Sequence, residues 1–207
     1  MIIMKSNFEY PENISKIGNK TALNIYVIKH EDKVIQIDAG IRNDINKIYD
    51  FYEQKNEEPD YILITSVDYT HVGALKELYD RYKPKIFVTK SEMDTMIHGP
   101  AFRGIMEIEG KGLRFDGVKN ISSYNRFNLD FLKIIDTPGY TNTNISIYYE
   151  HDNAIFVGDA LIVKRNKIKL DKMFIQDIRA ANLSLEKIKS MKPVTVYPSH
   201  GEPYKLM

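Results

Sequence analysis

Apolar positions along this chain come in short runs, and their spacing alternates between strand-like and helix-like. Ile14–Ile17, Asn24–Ile28 and Lys33–Asp38 read as strands, the last two joined by a turn at His30–Asp32. Residues Asn43–Lys55 place Ile45, Ile48, Tyr49 and Tyr52 on one helical face. Tyr61–Thr65 is apolar and β-branched, as a short buried strand should be. A helix then opens at about His71, set by the spacing of Val72, Leu75, Leu78 and Tyr79, and ends at Tyr82, before Pro84. Lys85–Thr89 is another buried strand.

The second half is richer in strands. Lys119–Ser122, Arg126–Asn128 and Phe131–Ile135 precede a hairpin of Asn144–Tyr149 and Ala154–Val157 around Glu150–Asn153. Asp177 is placed to cap a helix over Ile178–Met191, with Leu183, Ile188 and Met191 facing inward, and Val194–Tyr197 is the last strand. Between the halves, Ser91 caps a helix through Met96, with Glu92 and Asp94 suiting its positive end, and Gly99–Pro100 breaks it. The 91–114 segment has mixed periodicity and the character of a lid or of an interface between copies of the chain. Met96, Phe102, Ile105 and Met106 either wall a pocket or pack over the core.

Composition narrows the class. At 207 residues with 43% hydrophobic side chains, one domain spanning 1–207 is expected, with a substantial core and no span of eighteen apolar residues. The start lacks a signal-peptide layout, which points to the cytoplasm. There is no cysteine, so any metal ion must be held by histidine and carboxylate. The net charge is +1, from 29 basic and 28 acidic residues, which provides no field to gather polyanions. Neither a nucleic-acid nor a membrane partner is expected, and a small molecule is. The densest basic run, Lys164–Lys172, reads as a solvated loop, or as a rim drawing an anionic substrate to a pocket.

Several polar loops follow strands in the way α/β folds place their chemistry. Tyr61–Leu75 (YILITSVDYTHVGAL) delivers one, and Ile135–Thr141 (IDTPGYT), Phe156–Asp159 (FVGD) and Tyr197–Pro203 (YPSHGEP) deliver others. Ile35–Gly40 (IQIDAG) follows the entry hairpin. In this order the stretches resemble the T-H-x-H-x-D-H-x-G-G, TPGHT, F-x-GD and GHG elements of metallo-β-lactamase-fold hydrolases, over almost the whole chain. The resemblance implies an α+β fold, an αββα sandwich with two mixed sheets face to face and helices outside.

That family binds up to two metal ions with seven side chains, which here map to Ser66, Asp68, Thr70, His71, Tyr140, Asp159 and His200. Only His71, Asp159 and His200 keep the usual residue. The resemblance therefore implies one zinc or iron (or manganese) ion, or none, held by His71, Asp159 and His200 with Asp68 as a fourth ligand. Asp68 and Asp159 are the candidate catalytic carboxylates. Ser66, Thr70 and Tyr140 line the pocket at replaced ligand positions, while Asp38, Thr137 and Thr141 support it. Each residue also has a plainer reading: Asp68 and Thr70 as helix caps, Asp159 closing its own turn, the histidines bonded to carboxylates or backbone. Two functions remain. One is a single-metal hydrolase of an ester, thioester, lactone or phosphoester. The other is an inactive relative that binds a small molecule or a protein.

Overall fold

In the computed structural model, residues 8–17, 23–98, 115 and 117–207 are described. The first sheet contains β1 (Ile14–Ile17), β2 (Ile25–His30), β3 (Lys33–Ile37), β4 (Tyr61–Leu63), β5 (Lys85–Val88) and β6 (Ile121–Ser123), side by side in chain order. The β1–β2 and β2–β3 pairs are antiparallel, and the pairs from β3 to β6 are parallel. Parallel neighbours need crossovers. Helices α1 (Ile45–Lys55), α2 (Tyr69–Val72), α3 (Leu75–Tyr82) and α4 (Lys90–His98) lie between these strands.

The second sheet is built from β7 (Leu132–Asp136), β8 (Ile145–Tyr149), β9 (Ala154–Gly158), β12 (Val194–Pro198) and β13 (Tyr204–Leu206), in the order β13-β12-β9-β8-β7. A small hairpin, β10 (Ile162–Val163) with β11 (Ile168–Lys169), leaves the end of β9, and α5 (Ile178–Lys189) precedes β12.

Alternation along the strands decides the layers. Tyr26, Ile28, Ile35, Ile37, Leu63 and Phe87 of the first sheet pack with Leu132, Ile147, Phe156 and Tyr197 of the second. Their neighbours Ile25, Val27, Val34, Ile62 and Ile86 face the other way, onto Ile48 and Tyr52 of α1 and Leu75 and Leu78 of α3. Ile155, Val157, Val194 and Val196 pack with Ile188 of α5. The result is the αββα sandwich.

Several elements differ from the sequence reading. The helix expected from about His71 is two pieces. The Ala39 N–H donates to His71 O at 2.7 Å and Ala74 N–H to Gly40 O at 3.0 Å, so the chain after β3 takes up backbone groups at the break. Arg126–Asn128 is not a strand; a single 3₁₀ turn covers Tyr124–Arg126. The basic run holds β11 rather than only a loop, and β13 was unforeseen. Leu183 is 67% exposed. Asp177 caps α5 through Arg179 N and Ala180 N, and from that start Ala181, Ser184 and Ile188 face inward, with Leu183 about 100° off their stripe. Met96 is buried in the core under α4, whereas Phe102, Ile105 and Met106 lie outside the described residues. Among the described residues no helix is long and apolar enough to cross a membrane.

Candidate functional site

The ends of β3, β4, β7, β9 and β12 deliver Asp38, Thr65–Asp68, Thr137–Thr141, Asp159 and His200. Gly158 lets the two sheets approach here. Its φ is +55°, and a Cβ on it would lie 2.5 Å from Thr65 Oγ1. Only glycine permits both the conformation and the contact.

His71 is the centre of the cluster and is fully buried. Its Nδ1 lies 2.9 Å from Asp38 Oδ2 and its Nε2 3.1 Å from Asp159 Oδ2. Asp38 adopts a left-handed backbone (φ +62°), sparsely populated for a non-glycine residue. Its carboxylate accepts Thr65 N–H and the Thr65 hydroxyl, both at 2.8 Å. Gln36 and Tyr52 support this end: the Tyr52 hydroxyl donates to Gln36 Oε1, and Gln36 Nε2 donates to Asp38 O.

His200 is 47% exposed, with its Nε2 3.6 Å from Asp159 Oδ1. Its loop is held from β2, where Asn24 Nδ2 donates to Pro198 O and Gly201 O and the Tyr26 hydroxyl donates to Pro198 O. The structure thus brings His71, Asp159 and His200 together, with Asp159 between the two imidazoles. Asp38, expected only to support the site, touches His71 directly.

Charges in the cluster reinforce one another. Burial alone would push the His71 imidazole down, but Asp38 and Asp159 hold it well above its usual range. Burial would likewise raise the Asp159 carboxyl, yet the charge and hydrogen bond of His71 keep it below the ordinary value. Asp68 is raised by burial, with the charge of His71 opposing and that of Asp159 adding. The Tyr140 phenol is raised by burial and by Asp159 and Asp68, and stays protonated. Among the described residues, Asp159 Oδ1, Asp68 Oδ1 and Ser66 Oγ are buried with no hydrogen-bond partner.

The remaining candidates have structural surroundings. Asp68 sits at the N-cap position of α2, but its side chain makes no cap hydrogen bond; its backbone carbonyl takes His71 N–H and Val72 N–H instead. Thr70 is half-buried on α2. Thr137 meets Ser146 Oγ at 2.8 Å, and Thr141 O receives Gly139 N–H.

One buried residue was read only as suiting a helix start. Glu92, on α4, accepts Val67 N–H at 3.1 Å, the Thr89 hydroxyl at 2.8 Å and the Thr143 hydroxyl at 2.7 Å. It joins the Ser66–Asp68 loop to the loop after Tyr140. Its place in the first helical turn was the only signal in the sequence.

The family model described as the metallo-beta-lactamase superfamily matches residues 19–200. The chain belongs to that hydrolase superfamily. The Beta-lactamase-like protein 2 homolog of Caenorhabditis elegans is 25% identical over 185 residues, covering 86% of this chain and 55% of the relative. The chain therefore spans about half the length of that protein. BLEG-1 B3 metallo-β-lactamase superposes with a TM-score of 0.76 at 20% identity, over 93% of this chain and 94% of that one. TTHA1623, solved in a di-iron-bound form, gives 0.69 at 19%, over 92% and 93%. At these identities the likeness to solved structures is one of fold.

The superfamily's metal centre can be tested against these side chains. A two-ion centre does not fit. Ser66 and Thr70 offer hydroxyls, and Tyr140 a protonated phenol, all poor ligands for first-row cations. The other half keeps nitrogen and carboxylate donors. However, among the described residues no three His, Cys, Asp or Glu side chains are grouped to hold an ion. In this arrangement His71 serves an ion pair.

Proposed function

We propose that this chain has left two-metal hydrolysis and uses the remodelled pocket, lined by Ser66, Asp68, Thr70 and Tyr140, to bind a small molecule, with at most one metal ion present. The observation that carries this reading is the engagement of both His71 ring nitrogens by carboxylates, at 2.9 and 3.1 Å. A protonated imidazole has no lone pair for a cation. Elemental analysis of untagged protein, followed by melting curves with added zinc, iron(II) and manganese, tests it. The expected result is less than one ion per chain and no stabilisation by added metal. Two tightly held ions per chain would overturn it.

A second reading is favoured by one observation. Asp159 Oδ1 is buried without a hydrogen-bond partner among the described residues and lies 3.6 Å from His200 Nε2. In that reading His71, Asp159 and His200 hold a single zinc, iron or manganese ion, with Asp68 as a further ligand or base. The protein then hydrolyses an ester, thioester, lactone or phosphoester in the cytoplasm. One ion per chain, together with ester hydrolysis lost in H200A, would establish this reading over the first.

A further inference from the structure

Six cations sit between Asp159 and the first turn of α5, namely Lys164, Arg165, Lys167, Lys169, Lys172 and Arg179, and all are exposed. None forms an ion pair among the described residues, whereas Lys29, Arg42, Lys76, Arg81 and Lys133 elsewhere on the surface each meet a carboxylate. The two carboxylates within the segment are turned to its own backbone: Asp171 accepts Met173 N–H, and Asp177 accepts Arg179 N–H and Ala180 N–H. Six cations less two carboxylates leave +4 on residues 164–179, in a chain whose total is +1.

Residues 173–183 carry four of the five exposed large apolar side chains among the described residues, the fifth being Met207 near the last strand. Met173 is 80% exposed, Phe174 43% and Ile178 49%, and Leu183 on α5 is 67% exposed. The backbone beneath is fixed. Val163 N–H donates to His200 O, Gln176 N–H and Asp177 N–H donate to Gly139 O, and Ile168 and Leu170 pack onto the core. These apolar groups are therefore held in water by an anchored platform, which carries a cost that a partner would remove.

We infer that residues 164–183 form a peripheral docking face for an anionic lipid bilayer. Met173, Phe174, Ile178 and Leu183 enter the headgroup boundary while the unpaired cations meet lipid phosphates. Charge complementarity selects an anionic surface, and the aliphatic side chains select lipid over nucleic acid, whose phosphates would leave Met173, Ile178 and Leu183 in water. The sequence led to an expectation of no membrane partner because nothing in it can span a bilayer. Docking needs no span. The face adjoins His200 and Tyr140 through the Val163 and Gln176 contacts, so a docked molecule would hold its candidate site beside the headgroups.

Co-sedimentation with phosphatidylcholine vesicles, with and without phosphatidylglycerol, tests the inference on the full chain. Binding is expected only with phosphatidylglycerol, and raised salt should weaken it. K164E/R165E/K167E should reduce it by about tenfold or more. M173S/F174S should also reduce it on the anionic vesicles, with unchanged denaturation midpoints because every substituted side chain is exposed. Three outcomes would each overturn the inference: no sedimentation with either vesicle, equal sedimentation with both, or binding to a duplex oligonucleotide in preference to vesicles that M173S/F174S leaves unchanged.

Discussion

Asp38 reaches His71 from a left-handed backbone position and bonds its Nδ1 at 2.9 Å, so a conformationally costly residue orients the only fully buried histidine among those described. Removing Asp38 leaves the buried imidazole with Asp159 alone, and removing His71 leaves two buried carboxylates without the group between them. D38N and H71A should each lower unfolding free energy by about 3–5 kcal/mol. Chemical denaturation at neutral pH measures this, and a loss below about 1 kcal/mol for both would show that the pair is not charged.

The pH dependence follows from the same cluster. His71 is raised, so its contribution is complete below its unfolded value of 6.5 and is lost as pH rises through the higher folded value. Asp159 is lowered, so its contribution is complete above 3.8 and is lost as pH falls through the lower folded value. The stability difference between wild type and H71N should be largest between these two unfolded values. Urea midpoints measured across pH would reveal the plateau, and a difference that grows steadily above neutrality would contradict it.

Glu92 ties three groups from two loops and a strand end. E92A should cost about 2–4 kcal/mol, since buried donors lose a charged acceptor, and E92Q should cost less. Fluorescence-monitored denaturation of the two variants gives the comparison, and equal, negligible losses would remove Glu92 from its assigned place.

Restoring the replaced ligands gives a direct check on the metal reading. The triple variant S66H/T70D/Y140H reinstates two imidazoles and one carboxylate at positions now occupied by hydroxyls and a phenol. Its metal content should rise above that of the wild type, by elemental analysis after dialysis, provided the denaturation midpoint shows a folded protein. A folded variant that takes up no additional metal would show that the backbone at these positions no longer directs ligands to a common point.

Much of this was legible in the chain. The apolar runs IYVI and AIFV marked β2 and β9 as buried strands, though runs apolar on both sides do not show which side chains face the other sheet, and the spacing of Ile48 and Tyr52 marked the inner face of α1. The positions of His71, Asp159 and His200 after successive elements indicated that they would meet. What escaped depends on contacts distant in sequence. Nothing local to Tyr69–Tyr82 shows that the chain at Ala39–Gly40 would take up its backbone groups and break the helix. The inward face of α5 was misjudged because Leu183 is apolar, although the cap at Asp177 sets a different stripe. Glu92 looked like an ordinary helix-start acid because its partners Val67 and Thr143 lie 25 and 51 residues away.

The bond between His71 and Asp159 spans 88 residues. Asp38 and Thr65 lie much nearer in the chain, so contact of the imidazole with them closes far shorter loops than its contact with Asp159. Closing so distant a contact early is entropically unfavourable, and folds dominated by such contacts assemble slowly. The His71–Asp159 pair thus fastens the end of β9, in the second sheet, to α2 beside the first, and joins the two halves of the sandwich through a long-range polar contact.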